Sequence, residues 1–199
     1  MVVDPPFVDP DEVNHAAGQS AGDHACELAQ RKASSVANGD AELPLPAVIL
    51  GADTVCIDAK GRGIGKPGTP DAARAMLRSF VDAEHRVATG VCLLRLGRDG
   101  AREEERCFTE TAVVRWGGVS ERDLDVYLRS EAWRGKAGGY NLFDRRGAGW
   151  PIEVTGDATA VVGLPMPRAR ETLLDMGIVP DAEAAAWAAQ APRVGEVAR

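Results

Sequence analysis

Aromatic residues make up only 5% of this 199-residue chain, and no stretch approaches the roughly 20 consecutive apolar residues that a membrane-spanning helix needs. Positive charge is also in deficit. Lys plus Arg number 23 against 30 Asp plus Glu, and the formal charge of −7 excludes a general duplex-binding role, which needs a basic face. A basic pocket inside an acidic shell remains compatible with that balance. The start, Met1-Val2-Val3-Asp4-Pro5-Pro6, lacks the positive and apolar regions of a signal peptide, so a soluble cytoplasmic protein with no membrane partner is expected. Cysteine and histidine are sparse. Cys26, Cys56, Cys92 and Cys107 form no Cys-x-x-Cys pair, and His15, His24 and His85 show no metal-binding spacing, so no zinc site is expected. Three of the cysteines sit in apolar runs and read as small buried hydrophobes in a reducing compartment.

With 45% hydrophobic and 27% charged residues, the chain is predicted to fold as one domain over 1–199. Residues 1–22, with Pro5, Pro6 and Pro10, read as an irregular lead-in. From Asp23, a candidate helix cap, apolar residues recur at helical spacing through Leu28, Ala29, Ala33 and Val36 until Asn38-Gly39 ends the helix. Ala47 to Leu50 is short and β-branched, which suggests a buried strand, and Thr54 to Asp58 a second extended piece. Thr69 and Pro70 open a helix packed through Ala73, Leu77 and Phe80. His85 to Leu96 and Cys107 to Trp116 predict a hairpin whose tip carries Gly97-Arg98-Asp99-Gly100. The run Glu103-Glu104-Glu105 suits a solvated strand edge. Ser120 and Asp123 open another helix, Ala160 to Leu164 reads as a last strand, a helix follows around Leu173, and 177–199 form a helical tail with Trp187. Interleaved strands and helices give an α/β class, a mixed twisted sheet flanked by helices.

Gly51-Ala52-Asp53-Thr54 is the most informative segment. A carboxylate leaving the end of a buried strand stands where α/β folds bind ligands, and an acid there can hold Mg²⁺ or orient a water. The same residues could also do no more than brace a turn. Gly65-Lys66-Pro67 combines close backbone approach with a point charge suited to phosphate, although it lacks the spacing of a P-loop. Lys32 interrupts the apolar face of the first helix, at a pocket rim or towards solvent. Asp11-Glu12 is an acidic pair that serves equally as a surface turn or as metal ligands. Trp133-Arg134-Gly135-Lys136-Ala137-Gly138-Gly139-Tyr140 suits either an anionic ligand or a packed loop.

Taken in order, these segments resemble the Maf family of nucleoside triphosphate pyrophosphatases, related in fold to inosine triphosphatases. The matching pieces also include Leu28-Ala29, Val87-Ala88-Thr89-Gly90-Val91, Gly156-Asp157 and Val161-Val162-Gly163-Leu164-Pro165, so they run from residue 11 to about residue 176. The resemblance implies hydrolysis of the α–β phosphoanhydride of a nucleoside triphosphate, including non-standard ones, to the monophosphate and pyrophosphate with a divalent cation such as Mg²⁺. It makes Asp53 the proton acceptor or metal-bound carboxylate, Glu12 a second acid near the metal, and Lys32 and Lys66 phosphate clamps. Thr54 and Lys136 become further substrate contacts. A homodimer is the implied assembly.

Two departures stand out. The family begins with a strand and a Ser-x-Ser-Pro-Arg-Arg loop that grips phosphate, and nothing like it precedes Asp11. The first strand of the fold is therefore expected to be missing, its neighbour left as an open edge, with the true start upstream or the copy degenerate. Phe143 stands where the branch acting on dTTP and UTP carries a glutamine. A phenyl ring can stack on a base but cannot hydrogen-bond its edge. The alternative function is a catalytically inactive, nucleotide-binding or regulatory relative.

Overall fold

The computed structural model describes residues 19–39 and 42–179. Its centre is a hairpin of two long strands, β3 (Glu84–Leu96) and β4 (Arg102–Trp116). Between them the Gly97 N–H donates to the Ala101 carbonyl at 2.9 Å, and Gly100 adopts φ +79°, a conformation that favours glycine. β1 (Ala47–Ile57) pairs with β3 along its whole length, from Ala47 opposite Leu96 to Ile57 opposite Arg86. The short β2 (Gly63–Ile64) and β5 (Ile152–Thr155) complete the order β2-β1-β3-β4-β5. The α/β class holds, but the sheet expected to be mixed has only antiparallel pairings among the described residues. Among the described residues β2 meets β1 only at Cys56 and Ile57, and 47–55 of β1 are paired on the β3 side alone. Glu103 to Glu105 lie on a strand, away from the β5 pairing, as a solvated edge would.

One face of the sheet is covered by α1 (Ala21–Asn38). Ser20, not Asp23, is its cap: the Ser20 hydroxyl accepts from the Asp23 N–H at 3.1 Å and donates to the Asp23 carboxylate at 2.7 Å. The acid therefore sits three residues inside, and the last two residues of the expected lead-in are already helical. Ala21, Ala25, Ala29 and Ala33 recur every fourth residue and are buried against the sheet. This side of the helix carries no bulk, and the strands answer with glycine. A Cβ on Gly51 would fall 2.3 Å from the Ala29 carbonyl oxygen, and one on Gly90 2.3 Å from the Ala25 carbonyl carbon.

The opposite face carries the larger side chains. α2 (Pro70–Phe80), capped by Thr69 as expected, and α3 (Glu121–Arg129), capped by Ser120, pack there with the loop that ends in a 3-10 turn at Ala137–Gly139. α4 (Leu142–Gly147) follows. Leu77, Phe80, Trp116, Trp133 and Leu142 form one buried cluster, each burial contributing about 1.5–3 kcal/mol.

The strand expected over 160–164 is instead the short helix α5 (Ala158–Val161) and a turn. The Asp157 carboxylate accepts from the Thr159 N–H at 2.8 Å and from its hydroxyl at 2.6 Å, which starts a helical turn, and Gly163 at φ +105° ends it. Local capping thus overrides the β-branched composition. The real strand, β5, is four residues long and lies just upstream. α6 (Met166–Asp175) falls where the helix around Leu173 was expected, and the tail with Trp187 lies outside the described residues.

Candidate active site

Asp53 lies within β1 rather than beyond its end. The two extended pieces on either side of Gly51 are one continuous strand, in which Asp53 pairs with Gly90. The side chain faces α1. Because Gly51 and Gly90 let the helix backbone come down onto the sheet, Lys32 reaches Asp53, and its ammonium forms an ion pair with the Asp53 carboxylate. Asp53 is 7% exposed and the Lys32 side chain 23%. Taking such a pair out of water costs several kcal/mol that the attraction only partly offsets, so this pair is a poor stabiliser and a good candidate for chemistry.

Thr54 points to the other face. Its hydroxyl lies 2.8 Å from that of Thr89, and the Thr89 hydroxyl donates to the Ala160 carbonyl at 2.7 Å. A hydroxyl has one hydrogen, so Thr54 is the donor in the threonine pair. This chain links β1, β3 and α5 through a wholly buried Thr89. Sequence reading quoted Thr89 within a motif but assigned it no part. The available signal was a lone polar residue in the apolar run from Val87 to Leu94.

Lys66 is exposed and lines a narrow cleft together with Asp53, Thr54, Gly65 and Ala137. The tertiary structure thus gathers Lys32, Asp53, Thr54 and Lys66, spread from 32 to 66 in sequence, into one place. The cleft encloses only about 10 Å³. A much larger trough of about 860 Å³ lies at the other end of β1, lined by Val48, Arg95, Arg98 and Ile178. Five residues of extended strand, about 17 Å, separate Val48 from Asp53, so that trough does not belong to the Asp53 constellation.

The remaining candidates are dispersed. Lys136 adjoins Ala137 at the cleft, but its ammonium donates to the Ala132 carbonyl and braces its own loop. Phe143 sits on α4, 37% exposed, and is not among the residues that line the cleft. Glu12 lies outside the described residues. The loop around Trp133 and Tyr140 is a packed element: both rings are buried, and the Tyr127 hydroxyl donates to the Gly139 carbonyl at 3.0 Å.

Among the described residues no helix is long and apolar enough to cross a membrane. Comparison with known proteins gives a match of residues 2–176 to the family described as Maf-like protein. A dTTP/UTP pyrophosphatase of Syntrophus aciditrophicus (strain SB) is 39% identical over 151 residues, which cover 76% of this chain and 71% of that protein. A nucleoside triphosphate pyrophosphatase of Mycobacterium sp. (strain JLS) is 36% identical over 177 residues, 86% of this chain and 82% of the relative. A dTTP/UTP pyrophosphatase of Salinibacter ruber (strain DSM 13855 / M31) is 36% identical over 174 residues, 86% and 81% respectively.

Proposed function

Because this chain belongs to the Maf family, we propose that it is a nucleoside triphosphate pyrophosphatase, a hydrolase that cleaves the α–β phosphoanhydride and works on the cytoplasmic nucleotide pool. The observation that carries this reading is the buried Asp53–Lys32 pair beside Lys66. In the reaction, a water oxygen bonds to phosphorus, the bridging P–O bond breaks, and pyrophosphate leaves. Asp53 is the group suited to accept the water's proton, because its carboxylate is held still in a site from which bulk water is largely excluded. Lys32 and Lys66 supply fixed positive charge to the phosphate oxygens, on which negative charge accumulates in the transition state.

A hard divalent cation such as Mg²⁺ suits the donor chemistry at hand, an all-oxygen set in which Asp53 provides one carboxylate and Glu12 is the candidate second. Such ions are commonly held by one or two carboxylates together with the substrate phosphates. When bound, the cation neutralises charge on the triphosphate. Thr54, whose hydroxyl hydrogen is committed to Thr89, can offer a ligand only its lone pairs. Phe143 offers no hydrogen bond to a base edge, so discrimination among bases is expected to be broader than in an enzyme with an amide at that position.

The narrowness of the cleft favours a second reading, a relative that binds nucleotide without turnover. Pyrophosphate release by the full chain with Mg²⁺ separates the two, measured against dTTP, UTP, CTP and inosine triphosphate beside an Asp53→Asn control. Release abolished by the substitution supports the enzyme. A folded chain that binds nucleotide and releases none overturns it in favour of the binder.

A further inference from the structure

Three of the four cysteines, distant in sequence, converge on the α1 face of the sheet. Cys92 on β3 and Cys107 on β4 are directly opposite each other in the strand register, and their sulfurs are 2.7 Å apart. Glu105, two residues along β4 and therefore on the same face, brings a carboxylate oxygen to 4.0 Å from the Cys107 sulfur. The ligand atoms of Cys92, Cys107 and Glu105 all lie within 4.8 Å of one another. From above, α1 brings Cys26 close to Cys107. One helical turn later, Gln30 donates its amide to the Glu105 carboxylate at 2.5 Å. A spacing of four on the helix thus matches a spacing of two on the strand.

We propose that Cys92, Cys107 and Glu105 form a binding site for a thiophilic divalent cation of the zinc class, with Cys26 on α1 the fourth ligand once its side chain turns inward, tying α1 to the β3–β4 hairpin. Two sulfurs and one carboxylate oxygen are in place, and a third sulfur from Cys26 would complete a four-ligand set of the kind zinc takes tetrahedrally, with metal–sulfur distances of about 2.3 Å and metal–oxygen distances of about 2.0–2.2 Å. Those lengths place ligand atoms roughly 3.5–4 Å from each other, so Glu105 and Cys107 are already at that spacing and Cys92 and Cys107 must part by about 1 Å. Cys107 is exposed, whereas Cys92 is buried, so the cation enters from the Cys107 side. Gln30 orients the carboxylate in the manner of an outer hydrogen-bonding partner. Thiol ligands bind as thiolates, so up to three protons are released to solvent as the ion binds, and affinity rises with pH.

The site is separate from the proposed catalytic cleft. It belongs to the row that runs from Gly51 through Cys92 to Cys107, with Cys92 one strand spacing (about 5 Å) and Cys107 two (about 10 Å) across the sheet from β1. Lys32 shares α1 with Cys26, so a cation there also holds in place the helix that carries one of the phosphate clamps. The structure-building role does not depend on any nucleotide chemistry.

The experiment uses the full chain, reduced and stripped with a chelator, titrated with Co²⁺ as a coloured substitute and then with Zn²⁺. The expected result is about one cobalt per chain, with the near-ultraviolet sulfur-to-cobalt band and the visible bands of tetrahedral coordination, bleached by zinc. Cys107→Ser and Glu105→Gln each weaken binding about tenfold or more, while Cys56→Ala, on the opposite face, binds as the parent does. Glu105 is exposed, so its variant keeps the test open if a cysteine substitution fails to fold. The proposal is overturned if the folded, reduced chain shows no sulfur-to-cobalt band, or if Cys107→Ser leaves the titration unchanged. A Cys92–Cys107 disulfide that forms equally fast with and without saturating Zn²⁺ overturns it in favour of a redox pair.

Discussion

His85 and Tyr140 are bonded inside the aromatic core: the imidazole Nε2 lies 2.8 Å from the phenol oxygen, and the ring stacks on Phe80 with centroids 4.0 Å apart. The other ring nitrogen, Nδ1, is buried with no hydrogen-bond partner among the described residues. Burial alone depresses the imidazole from its ordinary 6.5 to about 4.

The folded state therefore holds His85 neutral while the unfolded chain takes up a proton below pH 6.5. Between pH 6.5 and about 4 the unfolded state binds more protons, so stability falls as the pH is lowered through that window. The full loss is about 3 kcal/mol. Urea midpoints from pH 7.5 to 4 should show this slope, and His85→Leu should flatten it above the range where carboxylates titrate. An equal slope in the variant would assign the effect to other groups.

Gly90→Ala should destabilise the protein by about 2–3 kcal/mol or more, because its methyl would press into the α1 backbone at Ala25 and neither element can yield easily. Gly68→Ala meets nothing within 4 Å and should stay within about 0.5 kcal/mol of the parent. Denaturant midpoints of the two variants decide the matter.

Lys32→Met leaves the Asp53 carboxylate buried without its cation. A fully buried pair broken in this way loses about 3–5 kcal/mol. Lys32 is nearly a quarter exposed, so about 2 kcal/mol is expected. Pyrophosphate release should fall about 100-fold. Asp53→Asn should abolish release with a smaller stability loss, since the Lys32 ammonium that it leaves without its carboxylate is 23% exposed and can turn towards solvent. Thermal melting beside a turnover assay checks both.

Thr89→Val deprives the Ala160 carbonyl and the Thr54 hydroxyl of their partner and should destabilise by about 1–3 kcal/mol. Thr89→Ser keeps the hydroxyl and should recover most of the loss. If valine and serine melt alike, the hydroxyl chain contributes little.

What the sequence determined by itself is what short-range physics controls. Thr69 before Pro70, Ser120 three residues before Asp123, and Asn38-Gly39 at the end of α1 are readable because a cap and its partner are three or four residues apart. The hairpin was legible for the same reason, two β-branched runs about a glycine-bearing tip. Even the misread start of α1 was local, an acid at the third position taken for the cap that Ser20 supplies. Tertiary structure alone decided that Asp53 stands within a strand, that Lys32 meets it, and that Cys26, Cys92 and Cys107 share one face. The partners of Thr89 are 35 and 71 residues away, and α1 approaches the sheet only because glycines at 51 and 90 leave it room. Such contacts depend on strand register and on how closely two layers pack, quantities that no window of neighbouring residues contains.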